Sequence, residues 1–506
     1  MSRLLAWLWI VPFLAIVAAA SATTPWQSKI DPSVLVAAEA GQTVEALVYL
    51  AEQADLTSAK ELISKEKKGH FVFERLRATA AQSQVSLIQL LREEGVVHQS
   101  FWIANMIWIE ADLDLVQRLA ERGDVCHLYA NPTVPLRLPA AEETPPPLFA
   151  PAAVEWNIAL IGAPNFWFAG FSGQGIVIAG QDTGYDWDHP ALIDKYRGWN
   201  GVTADHDYNW HDAIHSGGGS CGANSPEPCD DHSHGTHTMG TMVGDDGLGN
   251  QIGVAPGALW MGCRNMNQGN GTPATYSECF EFFLAPTRVD GSDPDPSRAP
   301  HVINNSWLCP PSEGCADPTV LQSVVENTRA AGIVVVVSAG NDGSGCSSID
   351  YPAAIYDAAL TVGATDAGDS IAGFSSRGGV TVDGSLRVKP NVTAPGVGIR
   401  SSLYGGGFFS LSGTSMAGPH VAGQVALLIS AVPALAGRVE TLEACIEATA
   451  IPLTSTQDCS GIDGSQVPNN VYGRGRINLS LPMPFECSEL FVFADDFDTG
   501  TAEGWR

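Results

Sequence analysis

The chain has 506 residues, of which 45% are hydrophobic, so its length predicts two or three domains and its apolar content argues against a wholly disordered protein. It carries 55 acidic against 26 basic residues, a formal net charge of −29. Because like charges repel, this balance argues against nucleic acid or an anionic lipid surface as a partner.

Residues 1–22 predict a signal peptide. Arg3 precedes an apolar run, and the small residues Ala20-Ser21-Ala22 are typical of a cleavage site. Cleavage there predicts a secreted, extracellular protein without stable membrane association. The alternative is an uncleaved N-terminal anchor on a structural surface protein.

The chain contains eleven cysteines, a number that favours an oxidising compartment. Cys126 lies in the N-terminal unit, and the other ten are an even number suited to disulfides. Two candidate pairs close short polar loops: Cys221 with Cys229, and Cys309 with Cys315. The other pairings stay open.

Residues 23–138 predict a removable pro-segment, and its part from about 40 to 135 predicts a small α+β unit. The expected elements are a strand at 46–50, helical stretches over 56–94 broken near Lys68-Gly69, a strand at 100–111, a helix at 114–122 and a strand at 125–129. This alternation is the split βαβ pattern, so we expect a ferredoxin-like fold.

Residues 139–153 are rich in proline and acidic residues and lack periodicity, which indicates an exposed linker with the maturation cleavage. We bracket the cut between Leu136 and Pro151. Residues 154–482 alternate buried apolar runs with helical stretches, one of them Pro318 to Ala331 with Asp317 as its N-cap. This texture predicts an α/β domain with a mainly parallel sheet. Residues 483–506 form a separate acidic and aromatic tail.

Two segments of this domain carry an acid and a base. A buried strand ends at Asp182 and turns at Gly184, and the carboxyl ends of parallel strands are where active sites are built. His234 opens a stretch with small residues, and histidine is the usual general base near neutral pH. A metal cluster of His232, His234 and His237 is the alternative, although the His-Glu-x-x-His pattern is absent.

Two further segments carry a nucleophile and an amide. Ser415 stands at the start of a helix, where free backbone N–H groups can stabilise an oxyanion. Asn341 follows a buried valine strand and can offer its side-chain amide to the same oxyanion. Each residue alone also fits an ordinary structural use, such as an N-cap serine or a turn asparagine.

Taken together, these segments resemble the active-site motifs of subtilisin-like serine proteases, the subtilases of peptidase family S8. The motifs are DTG, HGTHTMGTMVG, SAGN and GTSMAGPHVAG, and the similarity runs from about Trp156 to Asn478. Other segments, among them Trp156-Asn157-Ile158 and Asn304-Asn305-Ser306-Trp307, resemble the bacillopeptidase F branch of the family. The resemblance implies a subtilisin-like three-layer α/β fold behind an inhibitory propeptide.

The same resemblance implies a secreted serine endopeptidase that is made as a zymogen. Asp182, His234 and Ser415 would form the catalytic triad, and Asn341 with the Ser415 backbone N–H the oxyanion hole. No cofactor is required for this chemistry. The implied partners are polypeptide substrates and the protein's own propeptide, and we expect a monomer. The alternative is a catalytically inactive homologue that binds peptides.

Departures from the family pattern bear on metal binding and on specificity. Ala191 replaces a calcium-site aspartate, so the metal ligands stay unknown, while Asp-rich loops leave a structural calcium ion open. The expected substrate pocket includes Ser306, Trp307, Gly340 and Asp350. A carboxylate at Asp350 would favour lysine or arginine in the substrate, and a solvated loop aspartate is the alternative.

Overall fold

The computed structural model describes residues 26–139 and 154–479. The predicted signal peptide 1–22, nearly all of the predicted linker 139–153 and the C-terminal tail 483–506 lie outside the described residues. Within the two described ranges, no helix has the length and apolar character that a bilayer span requires.

The N-terminal unit, residues 26–139, is a sheet covered by helices. Its strands are β1 (Val44–Leu50), β2 (His98–Phe101), β3 (Met106–Ala111) and β4 (Val125–Ala130), and its helices are α1 (Pro32–Glu39), α2 (Lys65–Ser83), α3 (Val85–Glu93) and α4 (Leu113–Glu121). The sheet is antiparallel, in the order β2-β3-β1-β4. The ferredoxin-like assignment of this unit stays a prediction. A further short strand, β5 (Val134–Pro135), lies near the end of this unit and pairs with a strand of the second unit.

Two local predictions for this unit are wrong. Helix α2 runs through Lys68-Gly69 without a break and ends at Ser83. Gly69 is buried, and a Cβ there would lie 3.5 Å from the Pro296 carbonyl oxygen of the second unit, so this close packing overrides the low helix propensity of glycine. The expected strand at 100–111 is divided into β2 and β3 by a turn at 102–105.

The second unit, residues 154–479, is built on a seven-stranded sheet. The strands of the whole unit are β6 (Val177–Asp182), β7 (Trp210–Asp212), β8 (Leu259–Arg264), β9 (Met266–Asn267), β10 (Asn270–Gly271), β11 (Val302–Asn305), β12 (Val334–Ser338), β13 (Leu360–Thr365), β14 (Val392–Pro395), β15 (Ile399–Leu403) and β16 (Gly407–Leu411). The large sheet has the order β14-β13-β12-β11-β6-β8-β7, and all its pairs are parallel. The predicted parallel sheet is therefore confirmed.

Helices cover both faces of this sheet. They are α5 (Trp156–Leu160), α6 (Ala163–Phe168), α7 (His234–Val243), α8 (Pro273–Leu284), α9 (Gln322–Ala330), α10 (Thr414–Ala431) and α11 (Val439–Thr449). The side chains of β12 alternate between two cores: Val334 and Val336 pack on the side of α7 and α10, while Val335 and Val337 pack on the side of α8 and α9. Because successive side chains point to opposite faces, the sheet has a core on each face. The sheet and the helices on its two sides therefore form three layers.

Helix α9 begins later than its sequence pattern predicts. The Asp317 carboxylate accepts the Thr319 N–H at 2.9 Å and closes a turn, so it does not cap the helix, which starts at Gln322. The predicted end is close to the observed one. Gly332 follows the helix with φ of 81°, a backbone conformation that glycine adopts at low cost.

The N-terminal unit docks on α8 and α9. The Glu281 carboxylate accepts the backbone N–H groups of Trp102 and Ile103, the latter at 2.8 Å, so it stabilises the turn that divides β2 from β3. Asn327 of α9 donates to the Ile103 carbonyl at 2.6 Å. The turn therefore depends on the second unit, which local sequence patterns do not reveal.

Four disulfides link cysteines of the second unit. Both predicted loop pairs, Cys221–Cys229 and Cys309–Cys315, are confirmed. Two longer connections, Cys263–Cys279 and Cys346–Cys459, were not predicted from sequence. Cys487 lies outside the described residues.

Candidate active site

Asp182 is the last residue of β6 and stands at the carboxyl edge of the sheet. The chain then turns at Gly184, as predicted, with φ of 113°. A Cβ at this position would lie 1.7 Å from the Cys229 carbonyl oxygen, so only glycine allows the two segments to meet. The turn brings the chain before α7 against the end of β6.

His234, the first residue of α7, forms a hydrogen bond with Asp182. Its Nδ1 lies 2.7 Å from Asp182 Oδ1, and both side chains are buried. Asp182 Oδ1 also accepts the Thr183 backbone N–H at 2.7 Å. Because a carboxylate only accepts, the bond requires a proton on Nδ1, and in the neutral ring with this tautomer Nε2 is the atom that can accept a proton. Nε2 has no hydrogen-bond partner among the described residues, so it is available as a base.

Close packing holds α7 in place, as its glycines predict. A Cβ at Gly235 would lie 2.1 Å from the Gly184 carbonyl oxygen, and one at Gly240 would lie 2.1 Å from Ser402 Oγ. The start of the helix therefore sits directly against the turn after Asp182. Larger side chains would push His234 away from its carboxylate.

The other buried histidines near the site serve as structural links. His237 Nε2 lies 3.0 Å from the Ile399 carbonyl oxygen and donates to it, and burial lowers the pKa of His237 to about 3. His420 bonds Asn157 through Nε2 at 2.7 Å, and burial lowers its pKa to about 4. Both rings stay neutral and are committed to these contacts, which leaves His234 as the candidate base.

Ser415 is the second residue of α10, which packs against α7. Its Oγ donates to the Ser306 carbonyl oxygen at 3.4 Å, and the predicted bond to His234 is not formed. Bonds of this kind are often long in enzymes without substrate and tighten in the reacting complex. The structure therefore shows the Asp–His half of the expected triad formed, with Ser415 at the start of a helix that packs against α7.

The Asn341 amide has a fixed orientation. Its Oδ1 accepts the Thr414 backbone N–H at 2.9 Å and the Thr414 hydroxyl at 3.0 Å. The Thr414 hydroxyl in turn accepts the Gly340 N–H at 3.2 Å. The amide nitrogen is thus directed away from Thr414, and it donates to the Arg137 carbonyl oxygen at 3.1 Å. Asn341, the expected oxyanion donor, is therefore already bonded to a peptide carbonyl.

The end of the N-terminal unit lies across this site as an extended peptide. Strand β5 pairs antiparallel with β10, and the Leu136 N–H donates to the Gly269 carbonyl at 2.7 Å. After Arg137 the chain reaches Pro139, whose Cδ would lie 3.6 Å from a Cβ built on Gly413. This path follows strand addition at a sheet edge, a common mode of peptide recognition.

A cavity of about 230 Å³ lies beside Arg137. Leu308, Pro310, Glu313, Asp342 and Asp350 are among its lining residues. Asp350 is half-buried there, and burial raises its pKa with the nearby Asp342 charge adding to the effect.

The other three residues expected in the pocket are not among the residues that line this cavity. Trp307 is buried in the core and stacks on Tyr276 with ring centroids 3.9 Å apart. Ser306 Oγ donates to the Ser415 carbonyl at 3.1 Å, so it supports the nucleophile's backbone. Gly340 is held by Thr414, and a Cβ there would lie 2.5 Å from Tyr351.

Asp230 is a site residue that sequence reasoning missed. It is buried, and its Oδ1 accepts the Ser233 N–H at 2.8 Å and the Thr183 hydroxyl at 2.9 Å. Its Oδ2 accepts the Thr236 N–H at 3.0 Å. One carboxylate thus joins the first turn of α7 to the segment after Asp182. An aspartate just before a small-residue helix was the available signal.

Replacing Asp230 by alanine should lower the free energy of unfolding by about 2–3 kcal/mol, because several buried donors lose their acceptor. Urea unfolding of the Asp230→Ala chain, measured in a Ser415→Ala background to prevent self-digestion, checks this expectation. The control is Asp357→Ala, whose carboxylate is 93% exposed. Equal midpoints for the two variants would contradict the role given to Asp230.

The residues that the structure describes contain no cluster of three or more His, Cys, Asp or Glu side chains placed to hold a metal ion. His232, His234 and His237 accordingly do not form such a cluster. The buried methyl group of Ala191 offers no oxygen ligand. A structural calcium ion stays an untested expectation.

Comparison with known proteins identifies the family. Residues 173–475 match the model of the subtilase family, Peptidase_S8. The chain is 36% identical to bacillopeptidase F of Bacillus subtilis (strain 168) over 86% of this chain, although it spans only 30% of that sequence. It is 32% identical to subtilisin E of the same organism over 56% of this chain and 62% of that sequence. It is 30% identical to subtilisin Savinase of Lederbergia lenta over 64% of this chain and 97% of that sequence.

The family match defines the class of protein, and the chain belongs to the subtilase family. Within that family, the extent of the match supports the bacillopeptidase F branch, as the sequence motifs predicted.

Proposed function

We propose that this protein is a secreted serine endopeptidase that hydrolyses peptide bonds of proteins. One observation carries the proposal: a buried His234 oriented by Asp182, and an Asn341 amide that binds a peptide carbonyl at the start of the helix with Ser415. Such a group of residues supplies a base, a nucleophile and an oxyanion donor together. Family membership supports the same reaction.

In the proposed reaction, Ser415 Oγ attacks the carbonyl carbon of the peptide and its proton passes to His234 Nε2. Asp182 stabilises the imidazolium, and Asn341 Nδ2 with the Ser415 backbone N–H binds the oxyanion. The C–N bond breaks when His234 gives its proton to the leaving amine, which leaves an acyl ester on Ser415. Water, deprotonated by His234, then attacks the ester. The acyl C–O bond breaks as His234 returns the proton to Ser415 Oγ, which releases the carboxylate product and restores the serine.

We also propose that the N-terminal unit is an inhibitory pro-segment, so that the enzyme is made as a zymogen. Its tail pairs with β10 and places the Arg137 carbonyl on Asn341, where a substrate carbonyl would bind. Two elements cannot pair with the same edge of β10 at once, so substrate is excluded while the tail is bound. We expect secretion through the signal peptide 1–22, a monomeric mature enzyme and no cofactor in the chemistry.

A serine-directed fluorophosphonate tests the proposed function. We expect it to label the mature enzyme at Ser415, and we expect labelling and casein hydrolysis to vanish together in Ser415→Ala. The control is Ser410→Ala, which removes the hydroxyl of a half-buried serine of β16. A mature protein that is neither labelled nor active would favour the alternative of an inactive homologue that binds peptides.

A further inference from the structure

We propose that this enzyme cleaves after arginine, and that the Glu313 carboxylate binds the guanidinium of that arginine. The Arg137–Leu138 bond is then the maturation site. This inference rests on the proposed function and specifies its substrate class. It narrows the predicted bracket of Leu136 to Pro151 and places the cut just before the predicted linker.

The register of the bound tail identifies Arg137 as the residue before the cleaved bond. The pairing of β5 with β10 and the bond from the Leu136 N–H to Gly269 fix the tail along the sheet edge. The next carbonyl, that of Arg137, accepts from the Asn341 amide at 3.1 Å. An oxyanion donor binds the carbonyl that is attacked, so the attacked bond is the one between Arg137 and Leu138.

Glu313 is placed to recognise the arginine side chain. Its carboxylate forms an ion pair with the Arg137 guanidinium. The Glu313 side chain is only 10% exposed, and apart from this ion pair neither of its oxygens has a hydrogen-bond partner among the described residues. Burial raises the pKa of Glu313, an effect that the Arg137 charge opposes. A buried carboxylate without other partners is costly, which favours a cation beside it.

The surroundings of Glu313 also favour a cation. Asp342 and Asp350 line the same cavity of about 230 Å³ as Glu313 and Arg137. The carboxylate is carried on the loop 309–315, which the Cys309–Cys315 disulfide closes. A closed loop restricts the positions that the carboxylate can take, so less ordering is required when arginine binds. The Arg137 side chain is 64% exposed, so water screens this ion pair in part.

Cleavage at this bond is ordinary hydrolysis. The C–N bond between Arg137 and Leu138 breaks and one water molecule is added. The pro-segment then ends in the Arg137 carboxylate, and the mature chain begins with the Leu138 amine. N-terminal sequencing of the mature enzyme should therefore read Leu-Pro-Ala from residue 138. A mature chain that begins at a later residue, without a form that begins at 138, would overturn the assignment.

Cleavage profiling of the mature enzyme tests the specificity. In peptides that differ only before the scissile bond, we expect arginine to give a kcat/KM about 10- to 100-fold above phenylalanine, the range for a hydrogen-bonded charge that is partly screened. Glu313→Gln should reduce this ratio by about tenfold. Asp350→Asn should reduce it less, because Asp350 makes no ion pair with Arg137 among the described contacts. Asp357→Asn, on an exposed side chain, is the control and should leave the ratio unchanged.

Two readouts separate this inference from the proposed function. Fluorophosphonate labelling of Ser415 does not require an arginine side chain, so Asp357→Asn should be labelled at the wild-type rate and Glu313→Gln should still be labelled. Normal labelling with equal cleavage after arginine and phenylalanine would overturn the specificity alone. A wild-type ratio retained in Glu313→Gln would overturn the role of Glu313, and loss of all labelling in the wild-type enzyme would overturn the proposed function.

Discussion

We expect the His234→Ala variant to have a kcat about 10⁶-fold below that of the wild-type enzyme, because the triad loses the group that carries the proton in both half-reactions. The structure motivates this magnitude, since Nε2 is the free base beside α10, and the nearby His237 and His420 are neutral and committed to other contacts. Neither of them is placed to replace it.

The measurement needs mature protein, which an inactive variant does not produce by itself. A trace of affinity-tagged wild-type enzyme can cut the His234→Ala pro-protein and then be removed before kcat is determined with an arginine peptide. His206→Ala is the control, because His206 bonds Tyr196 at 2.9 Å away from the site. More than about one hundredth of wild-type kcat in His234→Ala would be incompatible with a triad mechanism.

Replacement of Asn341 by leucine should lower kcat about 10²- to 10³-fold with little change in KM, because the amide binds the carbonyl more strongly once negative charge develops on it. Leucine keeps the approximate size and removes the donor. Steady-state kinetics on the mature variant, obtained with the same removable wild-type enzyme, separate kcat from KM.

Thr414→Val is the matched variant for this experiment. It removes the hydroxyl that donates to Asn341 Oδ1 but leaves the amide itself in place, so its kcat should fall less than that of Asn341→Leu. Equal losses of kcat in the two variants would indicate that Asn341 acts through packing at the helix start and not by binding the oxyanion. A rise in KM with unchanged kcat in Asn341→Leu would contradict oxyanion binding.

The candidate site could be proposed from the sequence because its residues lie where regular elements begin or end. Asp182 ends a parallel strand, and His234 and Ser415 begin helices, so the layering of an α/β domain gathers them at one sheet edge. The motifs also resembled those of a known family. The unformed bond between Ser415 and His234 is a side-chain detail that no sequence pattern sets.

Other features depend on contacts between distant segments, which local patterns do not contain. The turn at 102–105 rests on the Glu281 carboxylate, and α2 continues through Gly69 because it packs on Pro296. Asp350 was predicted as a pocket residue from the family resemblance. Glu313 was not predicted from the sequence, because its ion-pair partner Arg137 belongs to the N-terminal unit.

In the zymogen that we propose, the tail of the N-terminal unit belongs to the same polypeptide as β10, so it would compete with substrates at an effective concentration of about millimolar, whatever the amount of enzyme present. Hydrolysis of one bond ends this advantage. From then on the severed unit is held only by its docking contacts and is diluted like any separate inhibitor. The volume into which the enzyme is released thus helps to decide how soon it becomes active.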